Sequence, residues 1–464
     1  MTRTSPAPNA PSAPYSAVVV GALTLAYTLS FVDRQILSLL VEPIKHDLHL
    51  SDTQISLLQG LAFTVLMGVG GLPIGWLVDR LPRLRIVSCG IAFWSVMTAC
   101  CGLSGSYAAL LLARMGVGLG ESALNPAAYS ALADAVPRKR LGFAIGVYGM
   151  GVYIGAGLAM ILGAEAISRM PAGGLTLPLL GTMRSWQAVF VLVGLPGIFL
   201  ALLTLLIREP VRRETLDVGT TDLPAVPSST RRYLLDNRHA LSMLILCQSF
   251  AAMLSFTLNA WAPSFFIRSF GWSIAQTGHA YGITIACAGV LGFLCCGVLG
   301  DRLAARGDIA ARMRIMSYAM LASAPLCLLA LTAADAGVAL TLLGATTFLI
   351  TVAIGSGPAA LQEILPNRMR GTTTSLAVLV VNLIGLGLGP TLVAVLTDYV
   401  FADPKQLHTA LAITTPCMAL AATVFGRLSL KPYASSRLYL ARYLREQAHA
   451  GSSELVPAAA QAAH

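Results

Sequence analysis

The chain has 464 residues, of which 56% are hydrophobic and only 11% charged, with a mean hydropathy of +0.73 and a formal net charge of +10. Soluble domains run at about 45 to 50% apolar and about 25% charged, so this balance excludes a soluble domain and points to a membrane protein that crosses the bilayer many times. No extramembrane stretch is long enough for an enzyme domain, and the Ser, His and Cys residues form no nucleophile set.

The chain opens with a Pro/Ala/Ser-rich polar tail, residues 1–15, read as disordered and without a cleavage pattern. Windows of about 20 apolar residues, the length that crosses about 30 Å of hydrocarbon, then number twelve. They fall near 16–42, 52–78, 84–104, 107–134, 141–166 and 184–207, then 240–267, 275–300, 312–333, 336–363, 371–399 and 406–428. We call them spans 1 to 12. Between the sixth and seventh lies "REPVRRETLDVGTTDLPAVPSSTRRYLLDNRH" (Arg208 to His239), which carries charges and prolines but no apolar period and reads as a linker. The expected fold class is therefore all-α: an N-terminal six-helix bundle over 16–207, a linker over 208–239, a C-terminal six-helix bundle over 240–430, and a tail over 431–464. Within that tail "SRLYLARYLREQ" (Ser436 to Gln447) has basic and apolar faces and is expected to lie on the membrane surface as a short amphipathic helix.

Basic residues are retained on the cytoplasmic side. With both termini placed there, 24 of the 31 Lys and Arg residues fall in the tails, the linker and the loops on that face. Lys45, Arg169, Arg184, Arg268 and Lys405 face outward, and Arg34 and Arg114 lie within spans. The positive charge is thus a signature of topology, and nucleic-acid binding has no place in it. The nine cysteines sit in apolar runs without histidine company, so neither a disulfide nor a metal site is expected, and no cofactor.

In span 1 stand Asp33 and Arg34, and in span 4 stand Arg114 and Glu121, seven residues and so two turns apart on one helix face. An ion at membrane depth costs at least about 2.5 kcal/mol on insertion scales, so these four need partners and a purpose. At 1.5 Å per residue Arg114 lies about 10 Å below the outer end of its helix, Glu121 about 21 Å, and Asp33 and Arg34 roughly 12 to 15 Å. On that arithmetic Asp33 is the counter-ion of Arg114, with Arg34 beside them and Glu121 one layer deeper. The four sum to zero charge when both acids are ionised, and protonating either acid leaves positive charge facing an anion-sized gap. Arginine's planar fork suits phosphate, sulfate or carboxylate and keeps its own proton, so the protons fall to Glu121 first and Asp33 second. Tyr148 and Tyr153 on span 5, Asn259 and Trp261 on span 7, His279 on span 8 and Asn382 on span 11 are candidate pocket residues. Glycines 146, 149, 151, 155 and 157 on span 5, and 385, 387 and 389 before Pro390 on span 11, read as sites of close helix approach.

The two halves repeat each other. "GWLVDRLPRLR" (Gly75 to Arg85) after span 2 returns as "GVLGDRLAARG" (Gly297 to Gly307) after span 8, and "VPRKRLG" (Val136 to Gly142) after span 4 returns as "LPNRMRG" (Leu365 to Gly371) after span 10. The first of these, G-x3-D-R followed by basic residues, resembles the signature loop of the major facilitator superfamily, a resemblance that covers residues 15 to 430. It implies a transporter working by alternating access, with Gly75, Asp79, Arg80, Arg83 and Arg85 at a cytoplasmic gate, Asp301 and Arg302 as their second-half counterparts, and Asp79 pairing with the start of span 11. Pro82 stands where that family often has glycine.

"GVGLGES" with the proline, serine and Ala-Asp that follow, "YGMGVYIGAGL" (Tyr148 to Leu158) and "VDRQIL" (Val32 to Leu37) are similar to the spinster group of that superfamily, whose eukaryotic members carry lysosphingolipids. The implied function is a proton-coupled transporter of a small amphiphilic or anionic solute, lysolipid-like, acting as a monomer in a bacterial inner membrane with protons and membrane lipids as its other partners. The Asp-Arg of span 1 also occurs in anion:cation symporters of the same superfamily, so an organic-anion or drug transporter of the same fold is the alternative.

Overall fold

The computed structural model describes residues 13–137, 140–171, 175–177, 181–212 and 227–461, and it is overwhelmingly helical. Among the described residues, eleven stretches are long and apolar enough to cross a membrane: Ala13–Leu39, Asp52–Val78, Arg83–Gly102, Leu141–Ser168, Ser185–Leu205, Arg238–Phe270, Ile274–Ala305, Ala311–Leu331, Ala336–Glu363, Thr373–Phe401 and Pro404–Ala441. These are spans 1 to 3 and 5 to 12. Span 4 is the twelfth, divided into Tyr107–Glu121 and Leu124–Ala135 by a break at Ser122 and Ala123.

Even-numbered spans start at the end of the bundle opposite the linker, here the far end, and polar caps mark most of those starts. Ser51, Ser106, Ser273 and Asp335 each accept a hydrogen bond from the backbone N–H three residues on, opening the helices of spans 2, 4, 8 and 10. Such a cap contributes about 1 kcal/mol by satisfying an otherwise orphaned donor. Span 7 ends on Gly271, whose φ of +67° is the left-handed conformation that stops a helix.

Packing obeys a two-fold rule. In the first half, span 3 packs on span 6, span 1 on span 5 and span 2 on span 4; in the second half the pairs are 9 with 12, 7 with 11 and 8 with 10. The halves meet along span 5 against span 8 and span 2 against span 11. Spans 5 and 8 approach backbone to backbone: a Cβ on Gly157 would stand 2.7 Å from the carbonyl oxygen of Gly282, and one on Gly282 2.9 Å from that of Gly157. Small residues allow such contact where lipid supplies no hydrophobic drive between helices.

Several features depart from the sequence reading. Span 2 is preceded by a separate short helix, Val41–Leu48, and is itself interrupted at Gly60. Span 11 contains two π-helical stretches, Leu383–Leu388 and Leu396–Phe401. A two-stranded hairpin, Leu175–Leu177 with Gly181–Met183, occupies the loop between spans 5 and 6. The segment read as a linker carries a helix, Pro227–Asp236, and the last helix runs unbroken from Leu407 to Gln461, so residues 436–447 continue span 12. Of the tail expected to be disordered, residues 13–15 already belong to span 1, while 1–12 lie outside the described residues.

Candidate functional site

Three of the four spanning ions are almost fully buried: Asp33 is 3% exposed, Arg114 1% and Glu121 2%. Their pairing differs from the depth arithmetic. Glu121 is held by Arg34, whose Nη2 lies 2.5 Å and whose Nε lies 2.6 Å from Oε2, and the Ser30 hydroxyl donates to the same oxygen at 2.6 Å. Ser30 and Arg34 stand one turn apart on span 1, so both reach one acceptor on the facing helix. The other carboxylate oxygen of Glu121, Oε1, is buried without a partner.

Arg114 makes no ion pair with the Asp33 carboxylate. Its Nη1 donates instead to the main-chain carbonyl of Asp33 at 3.1 Å, and its Nε is buried with no partner. The reason is reach: a guanidinium stands further from its Cα than one helical turn rises, so residues at one depth need not pair. Phe63 lies beneath both cations, 4.6 Å from the Arg34 guanidinium and 5.8 Å from that of Arg114, and Phe31 covers Arg34 at 4.9 Å. Aromatic faces of this kind support a desolvated cation. The centre of the first half thus holds two arginines, one paired acid, one acid beside Arg114, and one donor and one acceptor left over.

The other candidate pocket residues fall into different roles. Tyr148 is fully buried, donates to Asn125 at 2.7 Å and stacks on Tyr27 with ring centroids 4.4 Å apart, so it organises spans 1, 4 and 5. Tyr153 packs on Gly289 and Phe293 of span 8 at the seam between the halves. Trp261 is buried and donates to the carbonyl of Pro390 at 3.0 Å, tying span 7 to span 11. Asn259 donates to the carbonyl of Ser255 at 2.8 Å, one turn back on its own helix. Asn382 is half-buried where span 11 passes from α to π geometry. His279 is not in the centre: its Nε2 lies 3.6 Å from Glu165 at the far end.

The signature-loop residues also separate. Arg83 is 1% exposed and turns inward to its own half, bonding Asp134, the Ser130 carbonyl at 3.1 Å, Glu209 at 2.9 Å and the Pro210 carbonyl at 2.6 Å. Glu209 in turn accepts from the backbone N–H groups of Arg83 and Leu84, both at 2.9 Å, at the start of span 3. Arg80 stacks on Trp76 at 3.8 Å, Arg85 is exposed, and Gly75 borders open space. In the second half Asp301 receives Arg312 at 3.2 Å and Arg302 is exposed. Pairing of Asp79 with the start of span 11 lies outside the described side chains. The inward-turned Arg83 has a double: Arg312 bonds Glu363 at 2.7 Å, and both pairs are 51 residues apart in sequence. That spacing was a readable signal.

The far end is closed by residues that the sequence marked at most as outward-facing charges, Lys45 and Arg268, together with acids it gave no role. Arg268 of span 7 donates from Nη1 and Nη2 to both carboxylate oxygens of Asp52, at 2.7 and 2.8 Å, and from Nε to Glu42 at 2.8 Å, while Lys45 also bonds Asp52. Asp398 of span 11 accepts from the backbone N–H and the hydroxyl of Thr53, both at 2.7 Å, and from the backbone N–H of Asp52 at 3.3 Å. A carboxylate from one half thereby caps the first turn of span 2 in the other, where the helix dipole favours negative charge. Beneath this layer a Cβ on Gly60 would stand 2.2 Å from the carbonyl oxygen of Leu386, so only glycine lets spans 2 and 11 touch there.

The model of the Major Facilitator Superfamily matches residues 23–390. An MFS-type efflux pump of Mycolicibacterium smegmatis is 30% identical, covering 87% of this chain and 90% of its own length. Human protein spinster homolog 1 is 26% identical over 82% of this chain and 73% of its own length. Among solved structures, a bacterial homolog of the human lysosomal transporter spinster, in an inward-facing and occupied conformation, superposes with a TM-score of 0.73 at 28% identity over 92% of this chain and 97% of its own.

Proposed function

The chain belongs to the major facilitator superfamily, a family of transporters and not of enzymes, and we propose that it moves a small anionic or amphiphilic, lysolipid-like solute by alternating access, coupled to protons. One observation carries the reading: Glu121 occupies Arg34 with one oxygen and leaves the other free, while Arg114 beside it has an unpartnered Nε. Protonating Glu121 removes the charge that holds Arg34, so two guanidinium forks then face one anion. Binding of the anion to those forks withdraws support from the Glu121 carboxylate and favours its protonation. Proton and solute affinities are thereby linked, each altering the other by the same factor. Asp33, beside Arg114, is the second acid available to this coupling.

Residues 16–207 and 240–430 would rock as two bodies about the charged centre, with both termini and the 208–239 linker on the cytoplasmic face of a bacterial inner membrane and the chain acting as a monomer. The test is Glu121→Gln in liposomes, a substitution that mimics the protonated acid. It should still exchange solute across the bilayer while failing to accumulate it under a pH gradient. Retained pH-driven accumulation would move coupling to Asp33; loss of both activities would leave Glu121 a structural partner of Arg34. A second reading, export of an organic anion or drug, is favoured by the identity to the mycobacterial pump. A thermal-shift screen against lysolipids, organic acids and drugs at two pH values separates the two.

A further inference from the structure

The charged centre is separated from the far-end ion pairs by a contact between adjacent spans of opposite halves. Span 7 contains Pro263, and a proline inside a helix has no N–H to give the carbonyl four residues before it. That carbonyl belongs to Asn259. It is satisfied from outside its helix: Gln35 of span 1 donates to it from Nε2 at 2.7 Å. The second N–H of the same amide goes to the Ser38 hydroxyl at 2.8 Å, which fixes the amide's orientation, and Ser38 donates back to the Gln35 carbonyl at 2.7 Å. Gln35 and Ser38 are both buried. Next along span 7, the Ala260 carbonyl is reached by Gln59 of span 2 at 3.4 Å.

We propose that Gln35 is a positioning residue for closure of the far end, acting as an inner gate through the carbonyl that Pro263 leaves orphaned. With the halves together, the Gln35 amide gives this carbonyl the N–H that Pro263 cannot, and loss of that donor removes the bond across the seam while the acceptor stays buried. With the halves apart, water reaches the carbonyl and no such penalty exists. The contact therefore favours the closed arrangement by the difference between the two states, and its strength depends on the proline. Gln35 follows Arg34 directly, so the residue that holds Glu121 and the residue that holds span 7 move together.

This inference needs no solute, and its failure is thus distinguishable from failure of the transport reading. In the full chain with its nine cysteines replaced, spin labels are placed at His46 and Lys405, exposed on the far end of opposite halves, and distances are recorded in lipid nanodiscs. Gln35→Ala should shift the distribution several-fold toward the longer distance. Pro263→Ala returns an N–H to the Asn259 carbonyl, so Gln35→Ala added to Pro263→Ala should produce no further shift. The near-isosteric Gln35→Met, which removes the donor without opening a cavity or adding a charge, should behave as Gln35→Ala does and serves if the alanine variant folds poorly. An equal shift from Gln35→Ala in both backgrounds, or no shift beside the native proline, overturns the proposal.

Discussion

At the scale of single residues, the Arg34–Glu121 pair joins spans 1 and 4 at the centre of the first half. Breaking a buried pair by deleting one partner strands the other charge and costs about 3 to 5 kcal/mol, whereas replacing both partners is far milder. Arg34→Ala should therefore lower the thermal unfolding temperature in detergent markedly, and Arg34→Ala with Glu121→Gln should recover most of the loss. Arg114→Ala is predicted to differ in kind. Its fork is only partly used, on the Asp33 carbonyl, so the variant should fold, yet binding of an anionic solute measured by thermal shift should vanish. The four charges were legible in the sequence because ions inside apolar windows are rare and costly. Their pairing was not, since depth counted along a helix places Cα atoms and says nothing of where a long side chain points.

At the scale of elements, the apolar windows marked nearly every span within a few residues, because hydrocarbon thickness sets their length. They could not show the break in span 4, the interruption at Gly60 or the π turns of span 11, since none of these alters mean hydropathy. Gly60 carries a prediction of its own. Gly60→Ala places a methyl against the Leu386 carbonyl and should drive spans 2 and 11 apart, lengthening the His46 to Lys405 label distance while leaving the fold intact. The signature loop makes a second element-level contrast. Arg83 is buried among Asp134, Glu209 and two carbonyls, and Arg85 is exposed. Arg83→Ala should cost about 3 kcal/mol in unfolding experiments, and Arg85→Ala within about 0.5 kcal/mol of nothing. The motif's arginines were readable as a group, but which one turned inward depended on Asp134 and Glu209, far along the chain.

At the scale of the molecule, ionic contacts at the far end join the halves through Arg268 and Asp398. Asp398→Asn keeps an oxygen for the Thr53 hydroxyl but removes the negative charge from the first turn of span 2, which is expected to stabilise that turn by roughly 0.3 to 1 kcal/mol at an accessible site. A loss of that size shifts a two-state population by roughly two- to five-fold. The label distance across the far end should report it, with the effect shrinking as salt is raised.

The stretch between the halves has each of its described ends fastened to its own side. Arg212 donates to the Val78 and Leu81 carbonyls and Glu209 sits on Arg83, whereas the Tyr233 hydroxyl donates to the Ile364 carbonyl in the second half at 2.7 Å. Glu363, next to it, gathers Arg312, Tyr433 and Arg437. Covalent continuity between the halves is then a matter of effective concentration rather than of architecture. Two polypeptides ending and beginning between residues 213 and 226, synthesised in the same cell, should find each other in the bilayer, co-purify through a tag on one fragment, and transport as the single chain does.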